Sequence, residues 1–210
     1  MRYSLLAARA VIGAASLALI VLAALHILKP EVHPSRNMIS QYAVGRHGWV
    51  MALFFAACGV ASGCLFAVLV AQVSSSVGRV GLAFLLAAAL GLAMAARFPM
   101  DPVSTPPAQR SFSGKMHGVA FLIGLPCQIF AVLLLSVALG SQPSHAPLPL
   151  LMLTAVIWLS LAIMIAIMII VGPGKPSNPN GPERFVGLPN RLFMVAYAVW
   201  LMVVAWPIAL

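Results

Sequence analysis

The fold class this sequence predicts is an all-α integral membrane protein, six transmembrane helices in one bundle. Three observations predict it. Hydrophobic residues make up 62% of the 210-residue chain and charged residues 7%. Soluble domains run at about 45–50% and about 25%, so a chain this apolar needs lipid as its solvent. The apolar residues fall into six runs, at about 5–28, 49–73, 80–96, 117–139, 150–171 and 190–210, each long enough for a hydrocarbon core of roughly 30 Å. Continuous runs of that length are not barrel strands, which alternate with period two over about 10 residues.

Arg2 and Arg9 precede or open the first run, which reads as an uncleaved helix, because no clean A-x-A site follows it. The second opens on Trp49, an interfacial aromatic. It contains Gly59-Val60-Ala61-Ser62-Gly63, a GxxxG through which backbones approach closely. Gly59 and Gly63 are expected to face another helix of the same chain, or a second copy in a homodimer. The third run, rich in Ala and Gly, also suits close packing, and it stops at Arg97-Phe98-Pro99. Pro126 interrupts the fourth, where it removes one backbone hydrogen bond. The fifth is free of charge, and the sixth follows Asn190-Arg191.

Three polar loops, about 29–48, 97–116 and 173–189, separate the runs. With six spans they share one side of the membrane. Together with Arg191 just beyond the third, they hold nine of the 12 basic residues, and they hold all three acids, Glu31, Asp101 and Glu183. The positive-inside rule puts that side in the cytoplasm of a cell membrane. Each loop opens at a proline (Pro30, Pro99, Pro173) and closes near a base (Arg46, Lys115, Arg191), the outline of a weak threefold repeat. The net charge of +9 is spread over these loops without a basic helix. Its counterpart is therefore expected to be anionic lipid or a small anion rather than nucleic acid. Cys58, Cys64 and Cys127 lie inside apolar runs and read as small hydrophobes. No cofactor or metal is expected, since no HxxxH or HExxH spacing occurs.

Candidate site residues come from the three loops. Ser40 suits a polar contact or a nucleophile. Asp101, held between Pro99 and Pro102, suits orienting a histidine, pairing with Arg97, Arg110 or Arg191, or capping a turn. His117, opening the fourth helix, has an unperturbed pKa near 6.5 and suits proton transfer. Tyr42, Arg46 and Arg191 are candidate ligand contacts, Arg191 through its bidentate fork. The simplest arrangement joins Ser40, Asp101, His117 and Arg191 in one pocket at headgroup level, with Asp101 accepting from His117 or Arg191. The helix centres carry no charge, against ion-coupled transport. The expectation is a protein that binds a lipid headgroup or anionic small molecule, either as a membrane-embedded hydrolase or transferase or without chemistry. A non-enzymatic scaffold or transporter subunit is the alternative.

The order of these residues resembles a known family. His26 near a helix end, Ile39-Ser40-x-Tyr42-x-x-Gly45-x-x-Gly48-Trp49, Phe98-Pro99-x-Asp101, His117 and Arg191 together resemble the domain-of-unknown-function 998 family over nearly the whole chain. The resemblance departs at Gln41, where an acid is expected. It implies a six-helix membrane protein and assigns no activity.

Overall fold

The computed structural model describes residues 2–142, 145–171 and 185–210. Lys175, Glu183 and Arg184 lie outside them. Six helices follow one another: α1 (Arg2–Leu28), α2 (Gly48–Leu69), α3 (Ser76–Arg97), α4 (Phe112–Gly140), α5 (Pro147–Val171) and α6 (Gly187–Ala209). Each is long and apolar enough to cross a membrane, so the chain is a multi-pass membrane protein. Among the described residues there is no strand.

Two helices start earlier than hydropathy alone suggests, because a serine caps each. Ser75 Oγ accepts from Gly78 N at 3.2 Å, and Ser111 Oγ accepts from Gly114 N at 3.0 Å. Each satisfies one of the free N–H groups of a first helical turn. The second cap moves the start of α4 to Phe112 and carries His117 more than one turn inside the helix.

Successive helices pack side by side, and α6 closes the ring on α1. Across the ring, α2 and α4 also reach α6, which is why α6 buries Tyr197, Ala198, Trp200 and Leu201 completely. Between α3 and α4 the backbones nearly touch: a Cβ on Gly91 would lie 2.7 Å from Gly124 Cα. The seam between α4 and α5 is the loosest of the ring. Thr154 Oγ1 at 2.9 Å from Ser136 Oγ, and Phe130 against Trp158, join these two helices. Both contacts lie in the half remote from the 29–48 and 97–111 loops.

The GxxxG pair divides. A Cβ on Gly59 would lie 3.3 Å from the Ala89 carbonyl oxygen on α3, whereas one on Gly63 would meet nothing within 4 Å. Only Gly59 therefore packs against another helix of the chain. Gly63 lies in an outward groove between α2 and α3. Gly59→Leu should lower stability by about 1–3 kcal/mol through overpacking, and Gly63→Leu should leave it unchanged. Thermal unfolding of the detergent-solubilised protein checks both.

Candidate functional site

The 29–48 loop folds over the ends of α1 and α6 because two buried cations bind its carbonyl groups. Lys29, 3% exposed, donates to the carbonyl oxygens of Tyr42, at 3.0 Å, and Val44. Its carboxylate neighbour Glu31, at 3.9 Å, is exposed. Arg191, 8% exposed, donates Nε–H to His26 Nε2 at 3.0 Å. Its Nη1 donates to the oxygens of Asn37 at 2.6 Å and Gly187 at 3.1 Å, and its Nη2 to the Tyr42 hydroxyl at 3.1 Å. His26 can accept there because its Nδ1 faces the Leu22 carbonyl oxygen at 2.7 Å, which requires the proton on Nδ1 and leaves Nε2 bare. Four of the five guanidinium N–H groups are thus spent on the protein. Next door, Asn190 Oδ1 accepts from Ile39 N at 2.8 Å. Together these bonds lay the short 3-10 turn Ile39–Ala43 against the start of α6.

The 97–111 loop is tied to the start of α4. Asp101 accepts from Ser111 N at 2.8 Å and from Ser111 Oγ at 2.7 Å. A carboxylate beside a helix N-terminus is also favoured by the helix dipole. Asp101 therefore does not orient His117 or pair with Arg191, as the sequence suggested. It locks the capping serine, whose own N–H and hydroxyl are nearer than either alternative. The Phe98 carbonyl oxygen holds the histidine instead, 2.9 Å from Nδ1. A carbonyl only accepts, so Nδ1 carries the proton and Nε2 of the neutral ring presents a lone pair. Phe55 packs edge-on against the ring. Asp101→Ala should cost about 1–2 kcal/mol by freeing the Ser111 cap, and thermal unfolding reads it. The cost should be the same whether or not the cavity described next is occupied.

Beneath the 38–40 segment, a cavity runs between α3, α4 and α6. Phe55, Leu92, Phe121, Leu125, Phe193 and Met194 form its apolar walls, and Ser40, His117, Asn190 and Gln128 are its polar side chains. It holds about 60 Å³ of free space, several times the roughly 10–15 Å³ that one water needs on the same measure. Among the described residues, no charged side chain lines it.

The structure thus brings Ser40 and His117 to one cavity and leaves the other candidates outside its walls. Asp101 secures α4, Arg191 and Tyr42 form the clamp behind, and Arg46 is exposed. Ser40 and His117 share the space without a hydrogen bond between them, so no Ser-His-Asp relay is assembled. Two cavity residues escaped the sequence reading. Asn190 was overshadowed by the charge of Arg191. Gln128 was legible as the lone amide of an apolar helix, eleven residues after His117 and so close to the same helical face.

A family model described as "Protein of unknown function (DUF998)" matches residues 11–207. No curated protein and no solved structure matches the chain.

Proposed function

We propose that this chain, which belongs to the DUF998 family, binds a membrane amphiphile at its polar face, with the hydroxyl or amide end of the ligand beneath the 38–40 segment. One observation carries the reading. The cavity combines a polar mouth, at Ser40, His117 and Asn190, with walls of hydrocarbon. That is the lining expected for a group with a wet end and a dry end. With no cation among the described lining residues, the part inserted is uncharged, since an unpaired buried charge is costly. The charge of an anionic headgroup stays outside with the exposed cations of the same face, among them Arg46 and Lys115. The cell membrane, with the loops in the cytoplasm, is the location that the distribution of basic residues supports.

A second reading adds chemistry. Phe98 holds His117 with its Nε2 lone pair free, the state a general base needs. A ligand hydroxyl docked on Nε2 would then be placed for proton removal in a hydrolase or transferase reaction.

Binding of octadecan-1-ol, followed by native mass spectrometry of the full-length protein in nanodiscs, tests the first reading. His117→Leu should weaken it about tenfold, the loss of one well-formed hydrogen bond together with an unpaired ligand hydroxyl. Arg46→Ala should leave it unchanged. If the alcohol does not bind, or His117→Leu has no effect, the scaffold reading stands instead.

A further inference from the structure

The outer face of α2 and α3 carries a groove that the site above does not use. It holds about 710 Å³, against about 60 Å³ beneath the 38–40 segment. Gly59, Gly63, Ala89 and Ala93 keep it hollow, and the exposed side chains of Val60 and Leu90 flank them. At Gly59 the helices are in contact, whereas a Cβ on Gly63 would meet nothing within 4 Å.

Arg97 stands at one end of this groove. Its guanidinium lies 5.4 Å from the centre of the Phe98 ring, a cation–π contact that leaves its five N–H donors free. Among the described residues it has no ion pair, and Asp101, the acid of its loop, is taken up by Ser111. Arg191 and Lys29, by contrast, are spent on acceptors of the protein itself.

We infer that the groove binds one acyl chain of an anionic phospholipid, from the leaflet on the side of the 97–111 loop, with the lipid phosphate on Arg97. The site is separate from the cavity beneath the 38–40 segment and stands or falls without it.

Length and charge select this occupant. From Leu86 to Arg97 is about 16 Å of helix, the half of α3 nearer the loop. A hydrocarbon core is roughly 30 Å thick, so the groove runs the depth of one leaflet. Beyond Leu86 the seam opens into a separate hollow, lined by Phe66 and Val70 and ended by Arg79. A phospholipid has an anion at the interface and a thin chain one leaflet long. A helix from a second copy is about 10 Å across and crosses both leaflets, so it would have to bridge the divide at Leu86. Symmetric pairing of this face would also set two Arg97 side chains at one depth with no free acid beside them.

Native mass spectrometry of the full-length protein in detergent tests the inference, with dioleoylphosphatidylglycerol and dioleoylphosphatidylcholine as probes. The two lipids share their chains and differ in net charge. The wild-type protein should be a monomer that binds phosphatidylglycerol about fivefold more tightly, the size of one arginine beside an anionic lipid. Arg97→Gln should remove that preference, and Arg36→Gln, at an exposed cation outside the groove, should keep it. Gly63→Leu fills the groove without loss of stability and should weaken both lipids about threefold, through lost dispersion contacts. Gly13→Leu is its control, since a Cβ at Gly13 of α1 also meets nothing within 4 Å, and it should bind as wild type does. Equal binding of the two lipids by the wild-type protein, equal losses in Arg36→Gln and Arg97→Gln, or full binding by Gly63→Leu would overturn the assignment. So would a wild-type dimer that Gly63→Leu disperses, which would give the groove to a second copy.

Discussion

Replacing Arg191 with methionine should cost roughly 3–5 kcal/mol, among the largest effects of any single substitution in this protein. Among the described residues no acid stands beside the buried guanidinium, which is held there by oriented dipoles. It faces the Asn37 and Gly187 carbonyl oxygens, the His26 ring nitrogen and the Tyr42 hydroxyl, all within 3.1 Å. Methionine fills similar space but leaves each of those acceptors unmatched. Arg191→Lys should recover only part of the loss, because a single ammonium cannot span four acceptors set around a planar fork. The measurement is thermal unfolding in detergent, together with cysteine labelling at the buried Ile39. A loop that has come off its clamp labels quickly, and one that stays docked labels slowly. An Arg191→Met protein with wild-type melting and slow labelling would show that the clamp is not needed.

Gly187→Ala should cost about 2–4 kcal/mol, close behind. A Cβ there would lie 2.3 Å from the Pro34 carbonyl oxygen, 2.6 Å from that of Asn37 and 2.8 Å from that of Ser35. All three are backbone atoms and cannot swing aside. The loop must move away, and the bond from Gly187 N to the Ser35 oxygen, 2.7 Å, goes with it. Asn190 and Arg191 lie within the next turn, so the displacement reaches the cavity roof. Gly118→Ala is the control, since nothing lies within 4 Å of a Cβ at that position. Equal stability of the two alanine variants would refute the account of the α6–loop junction.

The six spans were legible because lipid imposes a composition on every residue of a helix, so the signal accumulates over about twenty positions. The site was legible only in part, for a different reason. A sequence shows that Asp101 and Arg191 are charged and near a boundary, which makes both look like ligand groups. It does not show that Ser111 sits nearer to Asp101 than His117 does. Nor does it show that Arg191 reaches back 154 positions to the Asn37 carbonyl. Backbone oxygens such as those of Phe98 and Asn37 supply the partners, and every residue type carries one. Ser40 and His117 emerged correctly as neighbours because both elements end on the same face of the membrane. Gln128 was visible as a lone amide in an apolar helix, but its place on the cavity wall is a property of the packed bundle.

The central claim is that the cavity beneath the 38–40 segment takes the hydroxyl end of a membrane amphiphile. Photocrosslinking tests it most directly. A diazirine placed a few carbons from the hydroxyl of octadecan-1-ol is irradiated with the protein in nanodiscs, and the adducts are mapped by peptide sequencing. The account predicts adducts on Phe121, Leu125 and Met194, which line the cavity, with labelling suppressed by excess octadecan-1-ol and weakened in His117→Leu. Adducts confined to outward residues such as Leu159, Ile163 and Ile169 of α5, exposed to bulk lipid, and indifferent to competitor would contradict it.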